Sequence, residues 1–294
     1  MKTIIKSCIS KIVFSIVFLL RKILLGRFIL EILIHELMNH VVEVNHKGKM
    51  FFTTPNDLNR FRANTFSTKE SDTLEWIDQI SENSIFWDIG ANVGLYSIYA
   101  AKQKNAKVFS FEPSVFNLEL LARNIFLNQL SDKVVIVPLP LFDQLSDKVV
   151  IVPLPLFDQL SINKLQMTNT EWGGALSSFG AEYGHDGKPI HKVFEYSLVG
   201  LSLNDAVQRL NLPEPDYIKM DVDGIEHIIL KGGKNVLKNV KEILVEINED
   251  FVEQFNTSRF ILEKAGFILK NKQSPNVLHN GSFQNTYNQI WIKK

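Results

Sequence analysis

Three segments carry residues whose types and spacing could do chemistry. The first is Phe86-Trp87-Asp88-Ile89-Gly90-Ala91-Asn92-Val93-Gly94, an apolar run entering a glycine-bearing turn ahead of a helical pattern. Gly90 and Gly94 let the backbone approach a ligand, and a helix start offers it free N–H groups. A dinucleotide-binding turn has glycines at its first, third and sixth positions; counted from Gly90, the third and sixth here are Asn92 and Leu95. The turn therefore departs from the NAD pattern, while Asp88 keeps an acid just before it, where it could hold the amino group of a methionine moiety. The second segment, Val108 to Pro113, is an apolar strand ending in Glu112, eighteen residues after Gly94. That is the place of an acid that accepts both hydroxyls of an adenosine ribose. Either feature alone is often structural, a plain βα turn or a solvated strand end; together they favour a cofactor site.

The third segment, Ile218-Lys219-Met220-Asp221-Val222-Asp223-Gly224-Ile225-Glu226-His227, clusters acids at the end of a predicted strand. Deprotonating a hydroxyl as it attacks a methyl sulfonium needs a base or oriented acceptor, for which Asp221 and Asp223 rank ahead of His227. Glu226 and His227 have a second reading as the first residues of a helix, where Glu226 suits the dipole. No further ligand has convincing spacing for a metal, so none is expected.

Positioning these residues requires a parallel sheet, and apolar runs alternating with amphipathic stretches predict one. Strands are expected at 85–89, 107–111, 217–220 and 242–247, with closing strands at 267–270 and 288–292. Helices are expected at 71–81, 92–102, 114–128, 226–237 and 251–265, the last capped by Gly266. A hairpin is expected over 41–44 and 49–53 around Asn45-His46-Lys47-Gly48. The predicted division is a basic and apolar helical extension over 1–40, a hairpin and helix over 41–82, and an α/β Rossmann-like domain over 83–294.

From about Arg60 to Glu249 the chain resembles the FkbM family of S-adenosylmethionine-dependent methyltransferases. The matching pieces are Arg62 with Thr68-Lys69-Glu70 and Thr73 to Asp78, Asp88 to Ser97, Phe111-Glu112-Pro113, Gly173-Gly174-Ala175, and Ile218 to Glu226. The resemblance implies a seven-stranded methyltransferase sheet and O-methylation, commonly of a sugar or a natural-product hydroxyl. By position, Asp88, Gly90, Ala91, Asn92, Gly94, Glu112 and Pro113 would bind S-adenosyl-L-methionine, and Asp221 with Asp223 would face the methyl-transfer site. The rival readings are methyl transfer to nitrogen or to a protein, and a catalytically impaired cofactor-binding scaffold.

One departure stands out. Leu130 to Gln144 is repeated without change as Leu145 to Gln159. A perfect pair in an otherwise aperiodic domain is a duplication rather than a solenoid. Each copy supplies one strand, Val134 to Val137 or Val149 to Val152, while the sheet has an evident place for one. The spare copy must form an added edge strand or an apolar loop; by the resemblance the repeat falls where the third strand should lead to the adenine-side loop, which leaves open whether Asp143 or Asp158 takes the position beside the adenine.

Acids and bases balance at 32 each across 294 residues, which gives no reason to expect a nucleic-acid partner. The single cysteine, Cys8, cannot form an internal disulfide, which fits a reducing, cytoplasmic setting. Residues 1–30 carry Lys2, Lys6, Lys11, Arg21, Lys22 and Arg27 and no acid. The apolar run Ile12 to Leu20 falls short of the roughly 20 residues a spanning helix needs. The segment is expected to pack on its own domain or on a second subunit of a homo-oligomer; the alternative is a basic helix lying on the inner face of a membrane.

Overall fold

The computed structural model describes residues 2–130, 134–136, 149–152, 155–274 and 285–294. The chain begins with two helices, α1 (Lys2–Leu20) and α2 (Leu24–Met38), and the hairpin of β1 (Val41–Asn45) and β2 (Lys49–Thr53). Three short helices follow, α3 (Asp57–Asn64), α4 (Phe66–Lys69) and α5 (Ser71–Gln79). Between residues 7 and 38 only Gly26 is buried, so α1 and α2 keep their apolar side chains in solvent instead of packing them on the sheet.

Next come β3 (Ile85–Ile89), α6 (Leu95–Gln103), β4 (Lys107–Phe111) and α7 (Val115–Leu127). The duplicated segment supplies β5 (Val134–Ile136) and β6 (Val149–Val152). A separate antiparallel sheet is built from β7 (Ser161–Met167), β8 (Ser178–Phe179) and β9 (Phe194–Gly200). The remaining elements are α8 (Leu203–Leu210), β10 (Tyr217–Met220), α9 (Glu226–Lys231), β11 (Glu242–Asn248), α10 (Val252–Lys264), β12 (Phe267–Gln273) and β13 (Thr286–Lys293).

Eight strands form the central sheet in the order β12-β13-β11-β10-β3-β4-β6-β5. Only β12 and β13 run antiparallel to their neighbours. Seven of these strands are the expected methyltransferase sheet, and β5 is the eighth. The second copy of the repeat therefore lies beside β4, and the first adds a parallel strand at the edge, with Val134 opposite Val149. From β3 the chain first builds outward through β4 and later returns to β10 on the opposite side. The boundary between β3 and β10 is thus the topological switch point, where the crevice of an open α/β sheet lies at the strand carboxyl ends.

Period-2 alternation divides the core in two. Phe86, Val108, Tyr217 and Leu244 pack with Trp76, Ile77, Tyr99 and Leu121 on one face; Trp87, Phe109, Ile218 and Ile243 pack with Leu230, Leu237 and Leu262 on the other. Asp88, Ser110 and Lys219 interrupt the first face. Register sets Asp88 between Ser110 on β4 and Lys219 on β10. The same face carries the N-terminal hairpin, tied to α7 by two asparagines. Asn124 accepts from Thr53 N (2.7 Å) and donates to Val93 O (2.9 Å), while Asn128 pairs with both Phe51 N and Phe51 O.

The expected helix over 226–237 is broken after Lys231. It ends at Gly232-Gly233, two residues that weaken a helix, and a Cβ at Gly232 would come within 2.7 Å of the carbonyl oxygens of Phe157 and Asp158, so glycine lets the chain pack closely there. A short 3-10 turn, Val236–Lys238, follows. The small sheet over 161–200 was not anticipated, because β9 lacks a clean in-out alternation and β8 has two residues.

Candidate active site

The turn after β3 is held from two sides. Gly90 N and Ala91 N both donate to Phe111 O at the end of β4 (2.9 and 3.1 Å). On the other side, a Cβ at Gly90 would lie 1.8 Å from Asp221 O, so glycine is required for the turns after β3 and β10 to touch. Gly90 also sits at φ 84°, a conformation that strains other residues. Asn92 takes a left-handed φ of 50° and donates from its backbone to Glu112 and from its side chain to Gly174 O (2.8 and 3.0 Å). Gly94 faces away; its Cβ position is filled by Leu121, so its role is to let α6 pack on α7.

Glu112 is buried, with Oε2 accepting from Asn92 N and Oε1 from Ser114 N, each at 2.8 Å. Burial pushes its carboxyl up to about 7, although these donors and Asn117 favour the ionised form. A carboxylate has about four lone-pair sites, so acceptor capacity remains. Glu112 and Pro113 line a lobe of about 610 Å³ whose apolar walls include Ile89, Phe111, Leu156, Leu165 and Ile229. Pro155 and Leu156 of this wall come from the second copy of the repeat, fixed where Phe157 N donates to Leu201 O (2.6 Å). Asp158 lies beyond them and lines neither this lobe nor its neighbour, and Asp143 lies outside the described residues.

A second lobe, of about 1220 Å³, shares Gly90, Asn92, Ala175, Asp221 and Asp223 with the first. Ala91 lines this lobe, with Arg62, Lys69, Glu70, Tyr96, Lys219 and Glu246. Its floor is an ionic cluster around Lys219, which is 2 % exposed. Lys219 Nζ lies 3.5 Å from Asp221 and 3.8 Å from Asp88. Burial pulls this ammonium down, but Asp221, Asp88, Glu70 and Glu246 more than offset that, and its pKa is raised. Glu70 is the mirror case: burial pushes it up, Lys69 and Lys219 pull it further down, and the net shift is downward. Asp88 stands behind this floor. Its carboxylate takes the Ser97 hydroxyl (2.6 Å) and lines neither lobe, so it acts on the crevice through Lys219, not on a ligand amino group directly.

Asp221 and Asp223 come together at the junction of the lobes. Asp223, at φ 60°, accepts from Leu176 N (2.7 Å), and burial followed by the Asp221 charge raises it to about 6. Glu226 points back into the turn that carries both, accepting from Val222 N (2.9 Å) and Gly224 N (3.1 Å) and from Gln254. His227, one helical position on, faces elsewhere. It is fully buried, packs edge-on to Phe251 at 5.6 Å and lines neither lobe, and burial lowers it to about 4. It is a neutral packing residue and does not join the two aspartates.

The loop after β7 closes the crevice. Gly173 N donates to Asn117 (3.0 Å), Gly173 O accepts from Arg62 (2.8 Å), and Gly174 O accepts from Asn92 and Asn117. These contacts bring together the Arg62, Glu112 and Gly173-Gly174 segments, which are far apart in sequence. The model of the methyltransferase FkbM domain matches residues 88–269, more than half of the chain. The chain belongs to the FkbM methyltransferase family. The matched stretch runs from Asp88 into β12 and includes Glu112, Asp221, Asp223 and Glu246.

Among characterised proteins the chain is similar to the hexuronic acid methyltransferase AglP of Haloferax volcanii. The two are 25 % identical over 180 residues, which is 58 % of this chain and 59 % of that protein. It is also similar to the methyltransferase sdnD of Sordaria araneosa, 29 % identical over 181 residues, 53 % of this chain and 62 % of that one. The chain thus spans about three fifths of the length of these relatives. Among solved structures, methyltransferase FkbM from Methylobacillus flagellatus is 15 % identical with a TM-score of 0.42, covering 73 % of this chain and 44 % of that one.

Glu246 is the main member of the site that sequence reasoning missed. Its signal was an acid inside the otherwise apolar Ile243 to Ile247 run. Burial and the neighbouring Asp221, Asp223 and Glu70 raise it well above the ordinary glutamate range.

Proposed function

We propose that the chain is an S-adenosylmethionine-dependent O-methyltransferase acting on a hydroxyl of a sugar, a polysaccharide precursor or a related small molecule. The observation that carries this reading is the pair of lobes meeting at Gly90, Asp221 and Asp223. The first lobe suits an adenosine: Glu112 waits at the strand end for ribose hydroxyls, and apolar side chains wall the space beside it. Buried at the junction, Asn92 Oδ1 has no partner in the protein, as expected of an acceptor kept for a ligand donor. The carboxylates of Glu70 and Asp221 in the second lobe suit a cationic aminoalkyl sulfonium chain.

The cofactor supplies an electrophilic methyl group. The protein's contribution is to hold the acceptor hydroxyl at the junction and take its proton as the new carbon–oxygen bond forms. Asp223 fits that role, since a carboxyl raised to about 6 is ionised at neutral pH yet basic enough to accept a proton. Asp221 raises the basicity of Asp223 by its charge, and Glu226 holds the backbone turn that aims both. Arg62 also lines the second lobe, from which an acceptor would reach the junction, and its Nε has no partner in the protein. That free donor favours an acidic sugar, the class named for the Haloferax relative.

Calorimetry with S-adenosylhomocysteine, followed by methyl transfer from labelled cofactor to uronic acid and neutral sugar glycosides, tests the reading. Binding without transfer to any hydroxyl acceptor would support the scaffold reading, and absence of binding would reject both.

A further inference from the structure

The α1–α2 segment lies outside the chemistry described so far and has an unusual surface. More than half of the large apolar side chains exposed among the described residues lie between Ile9 and Leu37, with Phe14 72 % and Leu24 85 % exposed. The exposed residues Ile12, Val13, Phe14, Ile16, Phe18 and Leu19 fall on every side of α1, so no single stripe could be covered by the domain. The two helices touch each other through a tight turn, where a Cβ at Gly26 would lie 2.2 Å from Leu20 O. Among the described residues no helix is long and apolar enough to cross a membrane.

Charge distinguishes the remaining occupants. Lys11, Arg21, Lys22 and Arg27 accompany this apolar surface, and no acid occurs before Glu31. A two-fold dimer through α1, whose charges are all basic, would set that cluster against its own copy, since the acids Glu31 and Glu36 lie on α2. Anionic headgroups would instead neutralise it while the acyl region takes up the apolar side chains. Lys22 Nζ already lies over the Phe18 ring at 4.4 Å, so a cation and an aromatic share one spot as they would at a lipid interface.

We propose that α1 and α2 embed their apolar side chains in one leaflet of an anionic bilayer and so seat the protein on it. Full-length protein is sedimented with vesicles of phosphatidylcholine alone and of phosphatidylcholine containing roughly one-third phosphatidylserine, a lipid-free spin correcting for aggregation. The expected result is recovery with the anionic vesicles. Lys11→Gln/Arg21→Gln/Lys22→Gln should weaken that partitioning by about tenfold or more. Phe14→Ser/Phe18→Ser/Phe28→Ser should abolish it with the thermal transition of the sheet domain unchanged. Either variant binding like the parent would overturn the proposal, as would a parent that stays in the supernatant. A parent that ignores vesicles but forms a dimer dissolved by the phenylalanine variant would give the face to a second copy.

Discussion

Replacing Lys219 by methionine keeps side-chain volume and removes the one cation at the centre of the buried acid cluster. The residue is 2 % exposed and lies 3.5 Å from Asp221 and 3.8 Å from Asp88, with Glu70 and Glu246 also acting on it. Removing one partner of a buried ion pair costs about 3–5 kcal/mol, because the charges left behind stay desolvated. The sign of the pH dependence follows from the shifts. The folded pKa of Lys219 lies above its unfolded value, so its contribution is fully present below the unfolded pKa and is constant between pH 6 and 8. Without it, Asp88 rises further and Glu70 loses a downward pull, so the folded variant holds more protons than the folded parent, whose Glu112, Asp223 and Glu226 are already raised. Stability of the variant should therefore fall more steeply than the parent's as pH rises, by about 1.4 kcal/mol per unit for each further carboxyl that stays protonated only when folded. Urea unfolding of parent and variant at pH 6 and pH 8 measures this, and adding Asp88→Asn should restore part of the loss. A Lys219→Met variant within about 1 kcal/mol of the parent at both pH values would refute the claim that this lysine holds the floor of the site together.

Glu112→Gln should weaken S-adenosylhomocysteine binding by about tenfold or more, as measured by calorimetry. In the parent, affinity should decline as pH falls below about 7, because protonated Glu112 loses acceptor capacity. Asp223→Asn should slow methyl transfer by roughly a hundredfold while leaving cofactor affinity nearly unchanged; turnover within a few-fold of the parent would move the base to Asp221 or Glu246. Deleting either copy of the repeat yields the same sequence, and that protein should fold, melt at an equal or higher temperature and bind cofactor at least as well, since β6 and its loop would be retained; failure to fold would make β5 structural.

The sequence disclosed the sheet well because its strands are short apolar runs whose ends carry the chemistry: Asp88, Glu112 and Asp221 could all be placed at strand ends. It disclosed less about direction. Alternation assigns Asp88 to the same face as Phe86, but nothing local says that Lys219 of a distant strand stands between that carboxylate and the crevice. His227 was ambiguous for a similar reason, since one step along α9 exchanges a residue facing the turn of Asp221 and Asp223 for one buried against Phe251. The small sheet of β7 to β9 stayed hidden because β9 lacks a clean alternation and β8 has only two residues, and with it the loop that brings Gly173 and Gly174 to Arg62 and Asn117. Glu246 would have needed β11 to be placed next to β10 before its acid could be seen to join Asp221.

The repeated strands β6 and β5 at this edge of the sheet also bear on how the protein folds. During refolding, Val134 to Val137 and Val149 to Val152 present the same side chains to the same vacancy, so the energy of the first encounter cannot tell them apart. If the first copy docks, Leu141 could reach the position that Leu156 takes against Leu201, and the fault would become apparent only in the connections on either side. Such an offset chain is a kinetic trap built from native-like contacts, and escaping it requires breaking a strand pairing that is locally correct. Stopped-flow refolding should therefore contain a slow phase that is absent from the single-copy protein, even though both end in the same active-site geometry.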